Sequence, residues 1–153
     1  MKHDLQLIHK LKLKNKTIGF TASTFDVGPH AGHIAMLAEC KSKCDFLIVG
    51  LLTDPTHDRK DIKNKPVQSI FERWVQLSAV SFVDMIIPFD NENDLLDLLL
   101  VVKPDIRFAG EEYKHVDHTG KHIESIKMYY NEREHSFSTT ELRKRVVDAE
   151  GKK

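Results

Sequence analysis

The chain has 153 residues, enough for one domain with an apolar core and too few for two. With 41% hydrophobic and 30% charged residues it has the balance of a folded protein, which excludes the disordered class. Lys plus Arg, at 23, cancel Asp plus Glu, at 23, so no overall positive field exists to draw duplex nucleic acid or an anionic membrane, and only a local basic site for a small anion stays open.

Residues 1–15 mix basic residues with Leu and carry no secretory signal, so a cytoplasmic protein with a short N-terminal tail is expected. In that tail, Lys10 to Lys16 would be a solvated arm or a dimer contact. The domain itself should run over 16–149, with 150–153 a second tail. The longest apolar run, 95–102, is interrupted by Asp97 and is too short to span a bilayer. A first strand is predicted over 17–22, followed by a loop at 23–29 and a helix from Ala31 that buries Ile34, Leu37 and Ala38 at helical spacing. Cys40 and Cys44 fall one turn apart on that helix, a spacing that disfavours a disulfide, and two thiols alone make no zinc site. The near-continuous apolar run 46–52 predicts a strand covered on both faces, as in a parallel sheet. A long polar loop, 53–66, comes next.

Ser69 and Glu72 have capping-box spacing and predict a helix over 69–82 with Phe71, Trp74, Val75 and Phe82 on its buried face. A strand at 85–88, a helix at 92–102 with Leu95, Leu98, Leu99 and Val102 inward, and strands at 105–109 and 126–130 follow. Ser138 and Glu141 form a second capping box and open a last helix with Leu142 and Val146 one turn apart. This alternation predicts an α/β fold, a Rossmann-like, doubly wound parallel sheet in a single domain.

The chemistry concentrates where the first strand hands over to the first helix, at Thr24-Phe25-Asp26 and His30-Ala31-Gly32-His33. In open α/β sheets this is where ligands bind and where helix N-terminal amides face an anion. Two histidines spaced by Ala-Gly can both face a phosphate there, although the tetrapeptide alone fits a solvent-exposed loop equally well. Neither G-x-G-x-x-G nor a Walker lysine loop is present, so the standard dinucleotide and P-loop readings lose support. His115, His118 and His122 lie around Asp117 and Gly120 in a polar stretch, which favours a solvated loop over a metal site.

The Thr-Phe-Asp and His-x-Gly-His pattern resembles the nucleotidyltransferases of the cytidylyltransferase type, and among them the glycerol-3-phosphate cytidylyltransferases. The likeness continues in order through Leu52-Thr53-Asp54, Glu72-Arg73, Phe108-Ala109-Gly110-Glu111, and Arg133 followed by Ser138-Thr139-Thr140. The loop between Asp26 and His30 is one residue longer than the family's, and Ser136-Phe137 stands where the family has Gly-Ile. The resemblance implies that the phosphate of a small phosphorylated alcohol attacks the α-phosphate of CTP in line, giving a CDP-alcohol and pyrophosphate. It assigns His30 and His33 to the triphosphate and the transition state, and Lys63 and Lys65 to bridging the two reacting phosphates, Lys63 on the substrate side. Arg133, Ser138 and Thr139 would close over the β- and γ-phosphates. Thr24 and Phe25 would touch the nucleotide, Arg73 would support its side of the site, and Asp26 would orient the loop. Mg2+ would accompany the nucleotide, and a homodimer is expected. The same fold with ATP and a sugar phosphate or pantetheine phosphate is the first alternative. A nucleotide-binding domain without catalysis is the second.

Overall fold

The computed structural model describes residues 2–132 and 134–152. Helix α1 (Lys2–Leu13) leads into strand β1 (Ile18–Ser23), helix α2 (Ala31–Ser42) and strand β2 (Phe46–Leu52). The short helix α3 (Thr56–Arg59) and helix α4 (Ile70–Ser78) precede strand β3 (Met85–Phe89), helix α5 (Glu92–Val102) and strand β4 (Ile106–Gly110). A 3-10 turn at Glu111–Tyr113, strand β5 (Lys127–Asn131) and helix α6 (Thr139–Glu150) complete the order. All the strand pairs are parallel, in the order β3-β2-β1-β4-β5, so the fold is the expected doubly wound α/β sheet.

β2 is apolar along its whole length because both its faces are covered, and six of its seven residues are buried. On one face Phe20, Ile48, Leu95 and Leu99 pack together; on the other, Leu37, Leu47, Val49, Leu77 and Phe108 do. The chain runs outward from β1 through β2 to β3, then α5 carries it back to β4 on the opposite side of β1. The strand order therefore reverses between β1 and β4, and a crevice opens at their C-terminal ends.

Three expectations need correction. Of the segment 1–15, the described residues 2–15 are not a tail: Leu5, Ile8 and Leu11 recur at helical spacing, Ile8 is buried against the sheet face that α5 covers, and Lys12 Nζ donates to the carbonyl of Val102 (3.1 Å). In α4 the expected buried face points outward, with Phe71 70%, Trp74 43% and Val75 45% exposed, while Arg73 and Leu77 are the residues inside. Arg73 takes the inner position because four backbone carbonyls need its donors, and α4 stops at Ser78, leaving Phe82 half-buried beyond it. In α6, Val146 is 53% exposed and does not reach the core. β3 tolerates Pro88 because it is an edge strand, paired only with β2.

Candidate active site

The loop from β1 to α2 is built from residues that hold it in an unfavoured shape. Phe25 and Val27 have φ of 52° and 54°, in the left-handed region that non-glycine residues avoid. Asp26 fixes them: its buried carboxylate accepts from the backbone N–H of Val67 (3.0 Å) and Gln68 (3.0 Å) and pairs with Arg143 of α6. Burial raises the Asp26 pKa, but the two backbone N–H groups and Arg143 outweigh it and hold the carboxyl below its usual value. Arg73 fastens the strand ends from below, donating to the carbonyls of Thr24 (2.8 Å), Leu52 (2.8 Å) and Thr53 (2.7 Å). Its donors are committed to backbone, so Arg73 bears on the site through the walls it braces. Asp26 does orient the loop.

His30 caps α2, whose first turn contains no acidic residue, so the positive end of the helix dipole is left open toward the crevice. The His30 Nδ1 accepts from the Gly32 N–H (3.1 Å), which places the ring proton of the neutral form on Nε2, 3.0 Å from Thr139 Oγ1. The rings of His30 and His33 stack with centroids 3.9 Å apart, and Phe25, itself fully buried, supports His33 at 4.9 Å. Gly32 lets the turn close: a Cβ there would lie 3.0 Å from the Phe137 carbonyl oxygen and 3.1 Å from the rings of His30 and His135. Burial pushes the His33 pKa down to about 3, and the His30 charge adds to this against the opposing pull of Asp26, so His33 is a neutral ring near pH 7.

A continuous cleft of about 740 Å³ runs over the crevice. It is lined by Thr24, His30, His33, Ser138 and Thr139 at the α2 end, and by Arg59, Lys63, Glu92, Arg107, Tyr113, His118 and Thr119 at the other. Of the residues expected at the site, Thr24, His30, His33, Lys63, Ser138 and Thr139 come together there. Phe25 lies beneath His33, Lys65 is exposed outside the lining, and Arg133 lies outside the described residues. His118 hydrogen-bonds to Tyr130 Oη (3.2 Å), whereas His122 pairs with Asp117 (2.9 Å) and His115 is exposed. Cys40 and Cys44 are free thiols, and burial pushes the Cys40 pKa up to about 12. The arginines 59, 107 and 143 and His135 escaped the sequence reading. Only Arg107 left a signal there, as a lone cation in the apolar strand Ile-Arg-Phe-Ala-Gly.

Among the described residues, the buried side-chain polar atoms without a hydrogen-bond partner are His33 Nδ1, Arg59 Nε, Arg107 Nε and Nη1, His135 Nδ1 and Arg143 Nε. All are nitrogens, and every residue but Arg143 lines the cleft. Buried polar atoms normally find partners, and the guanidinium nitrogens of Arg59 and Arg107 can only donate, so these two residues bring unmatched donors suited to an anion to the cleft.

The cytidylyltransferase-like family model matches residues 20–145, and the chain belongs to that family. A bifunctional protein HldE from Campylobacter jejuni subsp. doylei is 38% identical over 143 residues, which is 94% of this chain and 30% of that protein. An HldE from Paramagnetospirillum magneticum is 34% identical over 108 residues, 71% of this chain and 22% of its own length. The chain thus spans less than a third of the curated relatives it matches. Among solved structures, the lipopolysaccharide core biosynthesis protein of Thermoplasma volcanium superposes with a TM-score of 0.55 at 23% identity, covering 88% of each chain. A pantoate-beta-alanine ligase from Francisella tularensis gives 0.52 at 18% identity, covering 91% of this chain and 73% of that one. At such identities these two likenesses bear on the fold. No helix among the described residues is long and apolar enough to cross a membrane.

Proposed function

We propose that this chain transfers a nucleoside monophosphate from a nucleoside triphosphate to a phosphorylated sugar, releasing pyrophosphate. The observation that carries the reading is the stacked His30–His33 pair at the open N-terminus of α2, continuous with a cleft whose far end offers Arg59, Lys63 and Arg107 beside Glu92, Thr119 and Tyr113. Hydroxyl-rich substrates suit carboxylates, hydroxyls and phenols, and a phosphate suits the cations. Kinship with HldE proteins weighs toward ATP and a phosphorylated sugar over CTP and a small phosphorylated alcohol.

In this reading an oxygen of the acceptor phosphate attacks the α-phosphorus, and the bond from that phosphorus to the bridging oxygen breaks as pyrophosphate leaves. A phosphate monoester is already largely ionised near pH 7, so no general base is required. The site has to align two anions and stabilise charge growing on the α-phosphoryl oxygens and the leaving group. His30 Nε2 and His33 would supply donors there, and Lys63 would sit between the two phosphates. Ser138, Thr139 and Arg133 would face the β- and γ-phosphates, with Lys65 reaching in from the loop. Among the described residues no group of three or more His, Cys, Asp or Glu could hold a metal, so Mg2+ would ride on the nucleotide phosphates. The exposed apolar face of α4, with Phe71, Trp74 and Val75, supports a homodimer, for which sedimentation equilibrium should find twice the chain mass and a monomer would count against it.

The test is a screen of ATP, CTP, GTP and UTP against sugar 1-phosphates and glycerol 3-phosphate, scored by pyrophosphate release. Turnover with ATP and a sugar phosphate is expected. The pairing of CTP with a small phosphorylated alcohol, suggested by Ser138-Thr139-Thr140, is the second reading, and turnover confined to it would replace the first.

A further inference from the structure

Arg107 stands on β4, one position before Phe108, and so on the opposite sheet face from the α2 side, beside Phe20 in the parallel ladder. Its side chain is only 7% exposed, yet Nε and Nη1 have no hydrogen-bond partner among the described residues. Glu92 attracts it through space but is hydrogen-bonded elsewhere, accepting from Arg59 (3.3 Å) and from Thr119 Oγ1. An arginine keeps its charge at any ordinary pH, and a buried charge without a partner is costly. The fold is arranged around that guanidinium. Gly120 has a φ of 83°, and a Cβ there would fall 2.4 Å from Leu99 Cδ1 and 2.7 Å from Arg107 Nη1, so the loop after β4 lies directly against both the leucine and the arginine head. Arg107 also lines the cleft shared with His30 and His33.

We infer that Arg107 is the anchor for the acceptor's phosphate, a dianionic monoester gripped by the guanidinium fork from the α5 side of the sheet while the nucleotide phosphates rest on α2 from the other. The two anions then meet above the switch point between β1 and β4, with Lys63 on the rim and Thr119, Tyr113 and His118 facing the acceptor's hydroxyls. A guanidinium presents two parallel donors to one phosphate, which a lysine cannot do. This assignment rests on the transfer reading for the identity of the second substrate, but not for the existence of the anion site.

The probe is inorganic phosphate, titrated by calorimetry into the full chain saturated with an α,β-methylene analogue of ATP, so that the nucleotide's own phosphate sites are filled. Arg107→Met should weaken phosphate binding at least tenfold and leave nucleotide affinity within twofold, and its melting temperature should stay the same or rise, because two buried donors without hydrogen-bond partners have gone. Arg107→Lys, which keeps the charge and so guards against a misfolded Met variant, should fall between wild type and Met. Equal phosphate affinity in wild type and both variants overturns the inference, as does a wild-type protein that binds no phosphate beside the nucleotide. A parallel loss of nucleotide affinity also overturns it, and moves Arg107 to the nucleotide side. Arg107-dependent phosphate binding in a protein that releases no pyrophosphate with any sugar phosphate ends the transfer reading and leaves the anion site standing. Turnover with a sugar phosphate that is indifferent to Arg107 does the reverse.

Discussion

Two stacked histidine rings at a helix N-terminus would repel each other if both were protonated, and burial settles which form His33 takes: its pKa is pushed down to about 3. In the proposed reaction it would therefore act as a neutral hydrogen-bond donor, and rate profiles between pH 6 and 8 should show no step that His33→Asn removes. Removal of one donor aimed at transition-state charge costs about a hundred- to a thousand-fold in turnover, so His30→Ala and His33→Ala should each lose roughly that much, with Asn or Gln replacements losing less. Steady-state kinetics on variants shown to be folded by circular dichroism would check this; wild-type turnover in both Ala variants would remove the histidines from the mechanism. Lys63→Ala should lower kcat more than it weakens nucleotide binding if the lysine acts between the reacting phosphates. The histidine pair was legible through the ordered motifs that accompany it, since the tetrapeptide alone fits a solvent-exposed loop equally well. The unpartnered nitrogens of Arg59, Arg107 and His135 were not, since the lack of a partner is a property of three-dimensional packing.

At the scale of elements, the β1–α2 loop and α6 act together, joined by the Asp26–Arg143 pair and by Thr139 against His30. Asp26→Ala would leave the N–H groups of Val67 and Gln68 unmatched, at about 1–3 kcal/mol for each that stays buried. A lower melting temperature and lower activity should appear together, and full stability would show that the left-handed residues Phe25 and Val27 hold the loop without it. Ser138 accepts from the Glu141 N–H (3.1 Å) and starts α6 beside the cleft, so Ser138→Ala should lose about 1 kcal/mol in denaturant unfolding. Most elements could be read in chain order because apolar period and N-cap residues agree with the packing: Ser69 and Glu72 close a full capping box, whereas at α6 Ser138 caps the helix without the return bond from Glu141. α4 could not: its strongest apolar stripe faces outward, and its buried side is set by Arg73, whose reason for being inside is a set of carbonyls from distant loops. α1 was hidden by its lysines, although Leu5, Ile8 and Leu11 already carry helical spacing.

For the molecule as a whole, His33 and Asp26 both tie stability to pH, and in the same direction. The folded pKa of His33 lies below its unfolded value of 6.5, so its contribution is complete above pH 6.5 and is lost progressively as pH falls toward about 3. Asp26 is also lowered, from 3.8, and adds a loss below that value. Chemical denaturation from pH 7 to pH 4 should show falling stability, and His33→Asn should flatten the slope; an unchanged slope would mean that His33 is more solvated than its packing indicates. In the proposed arrangement the sheet order makes the cleft a meeting place, with the nucleotide on α2 at one side of the switch point and the acceptor at Arg107 on the other. The most direct test follows the reaction by phosphorus NMR with the purified chain, ATP, magnesium and a sugar 1-phosphate. Paired diphosphodiester resonances of a nucleoside diphosphate sugar should grow in step with free pyrophosphate, and only when both substrates are present. Hydrolysis of ATP to AMP without a sugar nucleotide, or pyrophosphate release independent of the sugar phosphate, would contradict transfer to a phosphorylated sugar.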